Sequence, residues 1–72
     1  MNISYYDFKN LENQDQCSLV LHNGKIVNER TMNDLKYTLY EFSTFTVELM
    51  HNLSNEKLAV INVFQNRAAY AV

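Results

Sequence analysis

The 72-residue sequence has no proline, no tryptophan, a single glycine and a single cysteine. One glycine cannot build a phosphate-cradling loop, which needs several backbone positions free of Cβ. One cysteine, Cys17, cannot close a disulfide within the chain. Only His22 and His51 accompany it as soft ligands, all far apart in sequence, so no zinc-type spacing exists. Neither a metal nor another cofactor is expected. No apolar run approaches the roughly 20 residues of a membrane-spanning helix. The start, Met1-Asn2-Ile3-Ser4, has neither the basic region nor the apolar stretch of a secretory leader. An unpaired cysteine without a leader points to a reducing cytosol. Positive charge is sparse as well: six Lys and Arg stand against eight Asp and Glu, for a net charge of −2. The basic residues (Lys9, Lys25, Arg30, Lys36, Lys57, Arg67) are scattered. Binding to nucleic acid or a membrane surface needs a clustered basic face, so neither is the expected partner.

What is present is apolar. The hydrophobic share is 47%, with five Tyr and four Phe, enough for a packed core and too much for a disordered tail. The length allows a single domain over residues 1–72. A domain this small buries only about 60% of the surface its unfolded chain exposes. With disulfide and metal excluded, efficient packing or self-association must supply the margin.

Residues 3–8 form a short aromatic lead-in. Asn10 is placed to cap a helix over 11–22, with Glu12 and Asp15 near its positive end. Leu11, Cys17, Val20 and Leu21, with Leu19 nearby, make its apolar stripe. Asn23-Gly24 ends it, and Gly24 is expected in the left-handed conformation of a helix C-cap. The period then changes. Residues 25–30 read as a strand, and Asn33-Asp34 as a turn. Residues 35–42 alternate Leu35, Tyr37 and Leu39 with Lys36, Thr38 and Tyr40; residues 45–50 alternate Phe45, Val47 and Leu49 with Thr46, Glu48 and Met50. A polar loop over 52–56 leads to a β-branched strand over 57–64. Residues 65–72 read as a short helical tail that packs Tyr70 back on the body. Short loops force antiparallel neighbours. The expected fold is α+β: one N-terminal helix on a three- to four-stranded antiparallel meander, with a short C-terminal tail.

One helix covers one face of such a sheet. Leu39, Phe45, Val47, Leu49, Val60 and Phe64 are expected on the covered face. Ala59, Ile61 and Val63 then fall on the other side, joined by Tyr40, Phe42 and Met50. A strand apolar on both faces is usually buried on both, and a contiguous exposed apolar patch usually marks an interface. Either the open face is a protein contact, most simply a twofold homodimer, or Tyr5, Tyr6, Phe8 and Tyr70 fold over it.

Chemistry is hard to place on this chain. Cys17 and His22 stand five apart on a helix and point to different sides, and Cys17 lies on the apolar stripe, so a buried structural thiol is expected. His22 in the last helical turn suits the negative helix end. His51 ends a strand and is expected in solvent. Glu48 is expected to pair with Arg30 or Lys36 across strands. A catalytic carboxylate pair needs a cleft to shift its pKa, and 72 residues leave little room for one.

The run Phe8-Lys9-Asn10-Leu11, then Leu21-His22-Asn23-Gly24, Leu39-Tyr40, Phe45-Thr46-Val47-Glu48-Leu49 and Ile61-Asn62-Val63-Phe64 resembles short hypothetical proteins of the Bacteroidota. In those an F-x-x-L-P helix start, a helix-ending Gly, an L-Y strand and an F-x-V-E strand follow at similar spacing. The resemblance covers roughly residues 8–64. It departs at Glu12, where that group tends to have Pro. It implies the order of elements and no activity, and it puts Tyr40 and Glu48 on the face away from the helix. The reading is a non-enzymatic protein–protein interaction module, homodimeric through the open face, with Tyr40, Met50, Ile61 and Val63 as its contacts and Glu48 setting register. The alternative is a small-ligand or nucleotide binder with a pocket at the protomer boundary, lined by Tyr37, Tyr40 and Glu48.

Overall fold

A computed structural model gives the architecture and describes residues 3–42 and 45–65. It is an α+β fold. The elements run α1 (Tyr5–Lys9), α2 (Asn13–Asn23), β1 (Lys25–Met32), β2 (Leu35–Phe42), β3 (Phe45–Asn52) and β4 (Lys57–Phe64). The strands form one antiparallel sheet in the order β1-β2-β3-β4, as short connections require. The expected helical tail over 65–72 lies, beyond Gln65, outside the described residues.

Two helices stand where one was expected. Ser4 opens α1, its Oγ accepting from the Asp7 amide at 3.0 Å. Asn10 closes that helix and starts nothing. Glu12 is the N-cap of α2 and makes no side-chain capping bond. The Gln16 side-chain amide joins the two helices by donating to the Phe8 carbonyl at 2.9 Å.

Gly24 also differs from expectation. Its φ is −79° and its ψ 155°, an ordinary extended conformation. Space is what demands glycine there: a Cβ would stand 2.7 Å from the Val20 carbonyl oxygen and 3.1 Å from the Tyr40 ring.

The core lies between the helices and one sheet face. Phe8 from α1 meets Phe42 and Phe45 with centroids 5.8 and 5.2 Å away, and those two rings stand edge-on at 5.4 Å. Such tilted pairs suit the ring quadrupoles. Cys17 and Val20 of α2, with Tyr40, Val47 and Leu49 of the sheet, complete the buried set. Leu21, expected on the helix stripe, is 48% exposed.

The pairing register corrects the expected faces. Phe42 pairs with Phe45, Tyr40 with Val47 and Thr38 with Leu49, and directly paired residues share a face. Thr38, Tyr40 and Phe42 therefore face the helices. Leu39 pairs with Glu48, and Phe64 with Thr46, so both point the other way. A β-bulge in β4 lets Val60 pair with Leu49 and Val63 with Val47. The extra residue puts both valines on the helix side, where they pack against the core.

Candidate functional site

The open sheet face is the surface that the helices leave uncovered. Its rows follow from the register: Arg30, Tyr37, Met50 and Ala59 cross the sheet in one line, and Asn28, Leu39, Glu48 and Asn62 in the next. Glu48 sits at the centre. One of its carboxylate oxygens accepts from the Asn62 amide at 2.8 Å, and the other stands 3.9 Å from the Arg30 guanidinium. That guanidinium also lies over the Tyr37 ring, 4.8 Å from its centroid. Of the two cations weighed for Glu48, Arg30 is the partner. Lys36 points to the helix side and pairs with Glu29 at 3.2 Å. At one end of the open face Thr46 is buried between its neighbours Glu41 and Phe64. The accessible apolar part is therefore centred on half-buried Tyr37, Leu39, Met50 and Ala59, with Leu35 and Met32 at one end and Phe64 at the other.

The four contacts expected from sequence divide. Met50 is on the open face. Tyr40 is not: it is buried under the helices beside Gly24, which also removes it from the expected ligand pocket with Tyr37 and Glu48. Val63 is likewise on the helix side. Ile61 is the bulged residue, unpaired with β3 and 39% exposed at the sheet edge. Tyr37 and Leu39 replace Tyr40 and Val63 on the open face.

An open cleft of about 350 Å³ lies between Lys9 and Gln16 of the helices and residues 60–63 of β4. It is larger than the chain length led us to expect. Lys9 is the one charged residue among its described lining residues. Beside it, Asn13 caps the sheet edge. Its Nδ2 donates to the Leu58 carbonyl at 3.1 Å, and its Oδ1 accepts from the Val60 amide at 3.0 Å. One side-chain amide thus makes the two bonds that a neighbouring strand would make.

Cys17 is buried, with its Sγ 3.9 Å from Asn13 Oδ1. Burial pushes the thiol pKa up, and a backbone hydrogen bond with Val60 offsets this only in part. A raised pKa keeps the sulfur protonated and unreactive. Nδ1 of His22 lies 2.8 Å from the Ser18 carbonyl, so that nitrogen carries the proton. Among the described residues no three His, Cys, Asp or Glu side chains gather into a possible metal site. No helix among them is long and apolar enough to cross a membrane.

No family model, no curated protein and no solved structure matches the chain. The site must be read from its own residues.

Proposed function

We propose that this protein is a non-enzymatic interaction module of the reducing cytosol that pairs with a second copy of itself through its open sheet face. The observation that carries this reading is one-sided cover. Both helices pack on the Tyr40–Val47 side, while the opposite side presents Tyr37, Leu39, Met50 and Ala59 across three adjacent strands. Tyr and Met are suited to such contacts, as rigid amphipathic and adaptable apolar anchors. Glu48 already accepts from Asn62 and has the Arg30 guanidinium 3.9 Å away, so its charge can enter an interface with an opposite charge beside it. Two sheets stacked face to face would share a core about 10 Å thick.

The test is Met50→Lys, followed by light scattering during gel filtration from micromolar to near-millimolar concentration. A charge at the centre of the contact shifts the chain to monomer while leaving its thermal transition within a few degrees, because Met50 is outside the helix-side core. A wild-type chain that stays monomeric throughout overturns the reading, and so does a variant that associates as well as wild type.

A second reading, a small-ligand or nucleotide site at the protomer boundary, rests on the stacked Arg30–Tyr37 pair beside Glu48. A metabolite screen by thermal shift separates the two, since a ligand at 100 times its Kd adds about 2.7 kcal/mol of stability.

A further inference from the structure

The sheet has two edges, each with a bulge, and they are covered differently. β4 is plugged by the Asn13 amide, bulged at Ile61 and packed against α2. β1 is eight residues long, and every one of them is exposed. Three of the large exposed apolar side chains belong to it: Ile26 at 54%, Val27 at 48% and Met32 at 55%. A long exposed edge strand offers unpaired N–H and C=O groups to another chain. We propose that β1 is an acceptor edge for an extended segment of a different protein, which adds to the sheet as a fifth, antiparallel strand.

The charges on β1 define the partner. From the register, Ile26, Glu29 and Thr31 face the helix side, and Lys25, Asn28, Arg30 and Met32 the open side. Val27 is the extra residue of a bulge. A second copy is a poor fit. Every twofold antiparallel register that keeps the faces matched over most of the strand sets like charges opposite each other. The Arg30 of one copy meets Lys25 of the other, or Glu29 meets Glu29, or Arg30 meets Arg30. Like charges directly opposite destabilise a strand pair. The segment that fits carries acidic residues opposite Lys25 and Arg30, a basic residue opposite Glu29, and apolar residues opposite Ile26 and Met32. The bulge and charges that guard this edge against indiscriminate pairing then act as its selectivity filter.

The test uses the full chain, labelled with ¹⁵N, and a blocked peptide Leu-Thr-Glu-Lys-Thr-Ile-Glu. Its residues run antiparallel from opposite Met32 to opposite Lys25, skipping the bulge. The control is the charge-reversed peptide Leu-Thr-Lys-Glu-Thr-Ile-Lys. The matched peptide shifts the amide resonances of β1 and binds roughly tenfold more tightly than the control, the sum expected from three reversed cross-strand pairs. The double variant Glu29→Lys with Arg30→Glu weakens that preference or inverts it. Equal affinity for the two peptides overturns the proposal. So does no binding of either at about millimolar concentration, the weak end of specific affinities, or shifts centred on β4 or on the open face. A wild-type β1 whose amides are protected by a second copy overturns it too. Met50→Lys leaves peptide binding unchanged, so failure here is separable from failure of the open-face dimer.

Discussion

Among the described residues two, Cys17 and Tyr40, carry raised pKa values, and both make alkaline pH the weak side of the fold. The Cys17 thiol is raised above its ordinary value of 9.0 by burial. The Tyr40 hydroxyl is raised above 10.0, first by burial and then by the charge of Glu29, with Lys36 pulling the other way. The folded state holds these protons more tightly than the unfolded chain does. Their contribution is fully present below pH 9.0 and is lost as pH rises through the folded values. The urea midpoint should therefore be flat from neutral pH to about pH 9 and fall beyond it. Tyr40→Phe should remove the part of the fall that begins near 10.0, where the free hydroxyl titrates; an unchanged profile would show that Tyr40 ionises as freely in the fold as outside it. A second residue-scale prediction concerns backbone strain. Glu56 holds a φ of 60° at the end of the loop before β4, a conformation costing a residue with a Cβ roughly 1–2 kcal/mol. Glu56→Gly should thus stabilise the chain by about 1 kcal/mol, partly offset by the entropy of a freer unfolded chain, as read by urea unfolding.

At the scale of elements, the least legible contact is the one that fastens α2 to the sheet. Asn13→Ala removes both bonds to the β4 edge and should cost about 1–2 kcal/mol. Hydrogen exchange at the Val60 amide should quicken more than at the amides of β2. Equal acceleration everywhere would mean that Asn13 stabilises the whole fold without fastening this edge.

The strands were readable because their alternation and the Asn33-Asp34 and 52–56 turn signals are local. The turns hold the same positions in the structure: Asn33 takes a φ of 56°, and the Asn52 side chain accepts from the Ser54 amide at 2.9 Å. Helix α1 was missed, although Ser4 and Asp7 stand three apart as a cap pair, because five residues show no period. Which side of β2 turns inward was not readable either. Leu35, Tyr37 and Leu39 look more apolar than Thr38 and Tyr40, yet Phe42, Phe45 and Phe8 together decide the parity, and that contact is tertiary. The bulge in β4 likewise leaves no mark in an unbroken apolar run, so Val63 was assigned to the wrong face. Asn13 reads as a helix residue, and nothing local announces a partner 45 residues away.

At the scale of the molecule, the helices shield one side of a four-stranded sheet and leave two unlike surfaces. The open face is a half-buried apolar surface around the Arg30–Glu48–Asn62 polar cluster. The β1 edge is a fully exposed strand with a charge pattern that resists its own copy. We propose self-association through the first and a foreign segment on the second. Two methyl groups report on them separately, Met50 on the open face and Ile26 on the helix side of β1, where it is 54% exposed. The most direct measurement is the attenuation of ¹³C-labelled methionine and isoleucine methyl signals by a soluble paramagnetic agent, followed as the protein is concentrated from micromolar to near-millimolar. The Met50 methyl is predicted to become protected as the mass doubles while the Ile26 methyl stays accessible. Protection of Ile26 with Met50 still open, or a doubling of mass that protects neither, would contradict the open-face dimer.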